Sequence, residues 1–265
     1  MNNLQKMIAV LTAALSLAAP MSSHADAAAD QGLAIAIETD RRDAGFTDSV
    51  AEATMSLRDA AGTTTTRRFR MLTLEQTADG DRTLVVFNQP ADLAGTAVLT
   101  WSHALAADDQ WLYLPALKRT KRIASKNKAA AFIGSEYAFE DLSAWEVKKF
   151  GYRLLREETL EGADCFVVEN TPAYEDSGYS RQVEWVDKRM YQPRRIDYYD
   201  REGALLKSMK FSDYQLYLGR HWRANVQNME NHKTGKSTRL QWASWRFRTG
   251  LAAGDFTAEA LERQQ

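Results

Sequence analysis

The chain carries thirteen segments with the pattern of β-strands and few with the pattern of helices. From residue 46 onward these segments alternate apolar and polar residues and are rich in Val, Thr and aromatic side chains. Turn dipeptides separate many of them: Ala61-Gly62, Asp79-Gly80, Glu161-Gly162, Glu202-Gly203 and Thr234-Gly235. The predicted strands are 47–58, 63–77, 81–88, 96–103, 110–115, 120–124, 152–160, 163–170, 180–187, 193–199, 204–217, 220–232 and 236–248. Such a series predicts a mainly β fold built on one large, strongly curved antiparallel sheet.

Several predicted strands carry bulky side chains on both faces. Trp111 and Tyr113 alternate with leucines, and Trp242 and Trp245 fall on opposite faces of one strand. A sheet that is apolar on both faces needs cover on both sides. The predicted helices are 27–42, a short one near 140–145, and one at 256–263 with Asp255 or Thr257 as its cap. Because these helices are few, we expect the sheet to leave a concave cavity.

The first residues have the order of a cleavable signal peptide. Lys6 supplies a positive charge, residues 7–19 are apolar, and Ser23-His24-Ala25 fits the small-x-small cleavage pattern. The apolar run is shorter than the ~20 residues that span a bilayer. No cysteine lies near the cut, so no lipobox is present. We therefore expect residues 1–25 to be removed, and residues 26–265 to form a single domain in the periplasm.

Composition and motif spacing give little support to catalysis or nucleic-acid binding. The chain has 34 Lys and Arg against 35 Asp and Glu, which leaves no global field for nucleic acid. Its four histidines are scattered without metal-ligand spacing, and its only cysteine, Cys165, lies in an apolar strand pattern typical of a core thiol. No phosphate-binding loop or dinucleotide fingerprint occurs. The sequence predicts a protein that is not an enzyme and needs neither a cofactor nor a metal.

Four residues between 134 and 142 keep an enzymatic alternative open. Ser135 in Gly134-Ser135-Glu136 resembles half of a nucleophile elbow, but Tyr137 breaks the GxSxG pattern. Glu136, Glu140 and Asp141 are close enough in sequence to share an acid–base site. The simpler interpretation is a turn serine followed by carboxylates that cap a short helix.

A basic run precedes this region, and two interpretations of it are open. Its side chains are Lys118, Arg119, Lys121 and Arg122, followed by Lys126 and Lys128. They either form a solvated edge strand that discourages strand-to-strand association, or they attract phospholipid head groups or an acidic partner at about 1 kcal/mol each.

The apolar residues around Gly134 have two interpretations as well. They are either core residues or a hinged lid over an apolar cavity, and sequestering a chain of ~15 methylenes there contributes ~12 kcal/mol. The candidate lid residues are Phe132, Ile133, Gly134, Tyr137, Phe139, Leu142 and Trp145. The candidates that line or flank the cavity are Trp101, Trp111, Tyr113 and Trp185.

Motifs along most of the chain carry a family resemblance. They are WLYLPALKR at 111–119, FIGSE at 132–136, EDL at 140–142, WVD at 185–187, PRR at 193–195, YYD at 198–200, LLK at 205–207 and DFT at 255–257. With these motifs the chain resembles the periplasmic outer-membrane lipoprotein-sorting protein family, which is related to the lipoprotein carrier of the Lol pathway and has a LolA/LolB-like fold.

The resemblance implies an unclosed, half β-barrel with helices as a lid and an apolar interior that holds acyl chains. It implies a carrier of a lipid or lipoprotein, often partnered with an inner-membrane transporter of the RND or MMPL type. We expect a monomer. The alternatives are a phospholipid hydrolase that uses the same cavity, and an accessory transporter subunit that carries no cargo.

Overall fold

The computed structural model describes residues 22–262, so the predicted signal peptide lies outside the described residues except for its last four. All thirteen predicted strands are present. They are β1 Asp48–Arg58, β2 Thr64–Leu74, β3 Arg82–Gln89, β4 Ala97–Trp101, β5 Asp109–Leu114, β6 Arg119–Ile123, β7 Phe150–Leu160, β8 Ala163–Pro172, β9 Tyr179–Asp187, β10 Pro193–Asp200, β11 Leu205–Tyr217, β12 His221–Asn231 and β13 Ser237–Phe247. The helices are α1 Ser22–Asp43 and α2 Ala258–Leu261.

The strands form one antiparallel sheet in the order β6-β5-β4-β3-β2-β1-β13-β12-β11-β10-β9-β8-β7. Strands β1 and β13 pair along most of their length, and this pairing joins the N-terminal strands to the C-terminal ones. Strands β6 and β7 are the two edges and do not pair with each other, so the sheet is not closed into a barrel. The predicted mainly β, half-barrel fold is confirmed.

Residues 124–149, here called the crossing segment, join the two edge strands. Because β6 and β7 lie at opposite ends of the strand order, this segment has to traverse one face of the sheet. It contains four short 3-10 turns: Ser125–Asn127, Phe132–Gly134, Phe139–Leu142 and Val147–Lys149. The helix predicted near 140–145 is therefore wrong in extent, because a single 3-10 turn ends at Leu142. Asp141 in this turn accepts a hydrogen bond from the Ala138 amide at 2.7 Å.

Both faces of the sheet are covered, as the two-faced apolar pattern predicts. On one face Phe132 of the crossing segment packs with Met55, Phe87 and Met229 in the largest core cluster. On the other face the C-terminal residues Phe256 and Leu261 are fully buried in a second cluster. Here α2 is capped by Thr257, whose Oγ1 accepts a hydrogen bond from the Ala260 amide at 3.1 Å.

Helix α1 lies against β7 and β12. Its residues Ile35 and Ala36 pack on Tyr152 and Val168, and Gly32 lets the helix approach the strand closely. A Cβ on Gly32 would lie 2.7 Å from the backbone nitrogen of Arg153. Across the described range, neither helix has the length and apolarity that crossing a membrane requires.

Candidate functional site

A cavity of about 860 Å³ lies between the sheet, α1 and the crossing segment. Val85 of β3 and Val168 of β8 both line it, although many strands separate them in the sheet. The sheet is therefore bent around the cavity. This volume falls within the range of about 300–1,000 Å³ typical of small-molecule sites.

Most of the cavity wall is apolar. Aromatic and aliphatic side chains from β1, β2, β10, β11 and β13 face the same space, with α1 closing one side. They include Met55, Phe69, Ile196, Phe211, Leu240 and Trp242. A wall of this kind can bind a hydrocarbon chain in many orientations, because the free energy of the hydrophobic effect depends on the apolar area that is buried and not on precise geometry.

Polar contacts pin the crossing segment to the cavity face of the sheet. Lys207 of β11 donates to Asp141 Oδ2 at 2.7 Å and to the Glu136 carbonyl at 2.8 Å. The Glu136 amide donates to Thr238 Oγ1 of β13 at 3.0 Å. Tyr137 reaches β12, where its hydroxyl donates to Gln227 Oε1 at 3.2 Å. These contacts make the segment a fixed wall of the cavity.

The residues considered for an enzymatic alternative are engaged in holding this segment. Ser135 Oγ donates to the Phe132 carbonyl at 2.7 Å, and Asn231 Nδ2 donates to Glu136 Oε2 at 2.7 Å. Glu140 accepts hydrogen bonds from the Gly178 amide and Ser177 Oγ, while burial raises the pKa of its carboxyl. The predicted capping role is correct for Asp141, whereas Glu140 instead anchors the loop that precedes β9.

Three carboxyl groups that line the cavity have raised pKa values. Burial raises the pKa of Asp81 to about 6, helped by Glu75. Burial raises the pKa of Glu146 to about 7, and Asp81 adds to that shift. Burial also raises the pKa of Glu184 on β9 to about 7. Among the described residues, no group of three or more His, Cys, Asp or Glu side chains is arranged to hold a metal ion.

The structure places four of the predicted lid residues in the cavity wall: Phe132, Tyr137, Leu142 and Trp145. Phe139 lies behind Phe132, with ring centroids 5.7 Å apart. Ile133 and Gly134 form the turn beside them, with positive φ angles of 47° and 70°. The structure thus brings Phe132, Tyr137, Phe139 and Leu142 together against the main core, whereas Trp145 packs with Phe150 and Tyr152 in the cluster beside α1.

The four residues expected to line or flank the cavity lie elsewhere. Trp101, Trp111 and Tyr113 belong to the cluster on the opposite face, where Trp101 Nε1 donates to the Phe256 carbonyl at 2.7 Å. Trp185 points away from the cavity because its neighbours Glu184 and Val186 line it. It packs instead with Cys165 and Val167. For Trp111 and Trp185, alternation along the strand separated the two faces but did not identify the concave one. Trp242 and Trp245, predicted on opposite faces of one strand, both line the cavity with ring centroids 5.4 Å apart, because the pairing of β13 with β1 is irregular between them and Ser244 has a positive φ of 56°.

The predicted basic residues lie outside the cavity. Arg119, Lys121 and Arg122 are on the edge strand β6, Lys118 is in the turn before it, and all four are exposed. Arg122 pairs with Asp109. Lys128, in contrast, is buried and lies 3.3 Å from Asp108. The structure leaves the solvated-edge and docking interpretations of the four exposed cations both available.

Two cavity residues, Asn170 and Glu184, were missed by the sequence interpretation. Asn170 of β8 donates through Nδ2 to Glu184 Oε2 of β9 at 3.0 Å. A signal for Glu184 was present, because it is a charged residue within the apolar run Val183-Glu184-Trp185-Val186. Asn170 carried no such signal. It follows Glu169 at the end of the predicted strand 163–170, where a polar residue is ordinary.

Comparison with known proteins places this architecture in a family. A protein-family model described as "Uncharacterized protein" matches residues 79–263. A crystal structure from Vibrio parahaemolyticus, described as an outer membrane lipoprotein-sorting protein domain, is 49% identical with a TM-score of 0.87, over 89% of this chain and 100% of its own. A DUF1329 family protein from Desulfovibrio piger is 33% identical with a TM-score of 0.84, over 88% of this chain and 99% of its own.

The chain belongs to the LolA-like DUF1329 family. The fold of this family member is also that of the LolA superfamily protein NE2245 from Nitrosomonas europaea, with a TM-score of 0.70 and 19% identity, over 86% of this chain and 98% of that one. A search of curated proteins found no match. The family resemblance predicted from the sequence motifs is confirmed.

Proposed function

We propose that the protein is a periplasmic carrier that holds the acyl chains of a lipid or lipoprotein in its cavity. The observation that carries this proposal is the cavity of about 860 Å³, with its mostly apolar wall, between the bent sheet, α1 and the crossing segment. Each methylene moved from water into it contributes ~0.8 kcal/mol, so a single long chain gives enough free energy for stable binding.

Family membership and the sequence support the same proposal. The Vibrio parahaemolyticus relative is described as a lipoprotein-sorting protein domain. The predicted signal peptide favours the periplasm, where a hydrocarbon chain needs shielding from water during movement between membranes. Transfer between inner-membrane machinery and the outer membrane would use this shielding, and an RND- or MMPL-type transporter remains the predicted inner-membrane partner.

The apolar wall also supports a binding role over chemistry. Ser135, Glu136, Glu140 and Asp141 each hold the crossing segment through hydrogen bonds. If any of these side chains turned toward a substrate, the backbone and side-chain groups that it now bonds would lose a hydrogen-bond partner.

The test is lipid capture by a variant with a filled cavity. Ala224 of β12 is buried and lines the cavity, so Ala224→Phe places a ring in the space that a chain would occupy. Ala204, an exposed turn residue before β11, provides the matched control Ala204→Phe. Residues 26–265 are produced in a bacterial periplasm, purified without detergent and examined by native mass spectrometry and solvent extraction.

We expect lipid on the wild type and the control, and much less on Ala224→Phe. Equal lipid on all three proteins would remove the cavity from the proposal. A wild type that carries no lipid and takes up none from vesicles would remove the carrier function itself. Hydrolysed lipid products in the extract would instead support an enzyme.

A further inference from the structure

An unsatisfied polar pair interrupts the apolar wall of the cavity. Asn170 is 1% exposed, and its Nδ2 donates to Glu184 Oε2 at 3.0 Å. Its Oδ1 is buried and has no hydrogen-bond partner in the described part of the chain. A buried acceptor without a hydrogen bond lowers the stability of the folded state by about 1–3 kcal/mol. The Oδ1 of Asn170 therefore has the capacity to accept a hydrogen bond from a further donor.

The neighbours of this pair place it in the cavity wall. Val168 and Val186, on the same two strands and the same face, line the cavity on either side. Glu184 has no ion-pair partner among the described residues, and burial is the main cause of its raised pKa, with Asn170 acting in the opposite direction. An uncompensated carboxyl in an apolar wall gains most from a cation that also donates hydrogen bonds.

The charged side chains of the cavity lining are mostly acidic. The lining contains eight carboxyl side chains and two basic ones. The acids are Asp40, Asp43, Glu75, Asp79, Asp81, Asp141, Glu146 and Glu184, and the bases are Lys148 and Arg223. Asp43 and Asp141 are already paired, with Arg223 and Lys207 respectively. An anionic head group inside this cavity would meet mostly like charges, since Lys148 is the one lining cation without an ion-pair partner among the described residues.

We propose that Asn170 and Glu184 form a head-group subsite for an amphiphile with a primary ammonium group, whose chain lies along the apolar wall. This inference rests on the proposed carrier function and deepens it. A primary ammonium has three donors and one positive charge, which match the amide oxygen of Asn170 and the carboxylate of Glu184. The subsite disfavours carboxylate and phosphate heads that carry no amine.

The experiment compares three ligands that share one chain length: dodecylamine, dodecanol and dodecanoate. Each is titrated, below the concentration at which it forms micelles or separates from solution, into the delipidated protein, residues 26–265, by calorimetry at about pH 8, where Glu184 is largely ionised. The variants are Glu184→Gln, which keeps the size of the side chain, and Asn170→Leu, which removes the amide. The matched control is Glu169→Gln, because Glu169 precedes Asn170 on β8 and pairs with Arg181 at 3.4 Å outside the cavity.

We expect the wild type to bind the amine at least about tenfold more tightly than the carboxylate, with the alcohol between them. Glu184→Gln and Asn170→Leu should each reduce amine affinity about tenfold and leave alcohol affinity within about threefold. Glu169→Gln should match the wild type.

Equal affinity for the three ligands, or an unchanged amine preference in Glu184→Gln, would overturn the subsite while the carrier function stands. Absence of binding by all three ligands would overturn both. If Asn170→Leu fails to fold, Glu184→Gln alone decides the outcome.

Discussion

Lys207 Nζ lies 2.7 Å from Asp141 Oδ2, and both side chains are nearly fully buried, at 4% and 5% exposed. The pair joins β11 to the crossing segment and stands beside Tyr179 and Tyr198, whose rings lie 5.2 and 5.1 Å from the ammonium group. One cation thus fixes the wall of the cavity to the sheet. The pair therefore helps to set the shape of the cavity.

Lys207→Met should destabilise the protein by about 3–5 kcal/mol, because it leaves the Asp141 carboxylate buried without its cation. Adding Asp141→Asn should recover part of the loss, since the amide can still accept from Ala138. Lys210→Met is the matched control on the same strand. Its partner Glu161 is exposed, so its loss should cost less than about 1 kcal/mol. Denaturant unfolding measures all four proteins, and equal losses for Lys207→Met and Lys210→Met would contradict the prediction.

Gly32→Ala should separate α1 from β7. A methyl group there meets the Arg153 backbone at 2.7 Å, and backbone cannot rotate aside as a side chain can. Overpacking of this kind costs about 1–3 kcal/mol, which outweighs the gain of up to about 1 kcal/mol in helix propensity. Gly254→Ala is the control, because a Cβ there meets nothing within 4 Å. Thermal unfolding checks both, and a rise in Tm for Gly32→Ala would show that the helix moves freely.

The strand pattern alone predicted much of this fold. Thirteen alternating segments with glycine turns gave the strands within a few residues, and the basic run, for which an edge strand was one of two interpretations, does lie on the edge strand β6. These features depend on residues close together in the chain. Local periodicity is enough to describe them.

The cavity itself could not be predicted in the same way. Trp111 and Phe132 are both apolar and aromatic, yet they lie on opposite faces of the sheet. Which face is concave depends on the curvature of all thirteen strands and on the path of residues 124–149. The Asn170–Glu184 pair likewise depends on the register between β8 and β9, which no local pattern reveals.

Reversing the charge of Lys118, Arg119, Lys121 and Arg122 to Glu should leave folding unchanged, because all four side chains are exposed. If they dock on anionic membranes, each loses about 1 kcal/mol of attraction, and vesicle binding should fall most at low salt. Sedimentation with vesicles of phosphatidylglycerol, with neutral vesicles as the control, measures the effect. Unchanged binding would assign the run to protection of the β6 edge.

Glu184 should make stability depend on pH in one direction. In the unfolded chain this carboxyl ionises near its ordinary value of 4.5, whereas burial raises the folded-state pKa to about 7. The folded protein therefore holds the proton longer, so this group lowers stability as pH rises from about 4.5 to about 7 and adds no change outside that window.

Glu184→Gln removes this titration while keeping an acceptor for Asn170 Nδ2. The variant should match the wild type near pH 4 and exceed it at pH 8 by about 3 kcal/mol, since the pKa rises from 4.5 to about 7 on folding and one pKa unit corresponds to about 1.4 kcal/mol. Denaturant unfolding of both proteins across this range checks the difference. Parallel stability curves would mean that Glu184 ionises in the folded state as it does in water, and the cavity around it would then have to be wet. A bound alkylammonium should reverse the wild type's loss, because it stabilises the ionised carboxylate and so lowers its folded-state pKa.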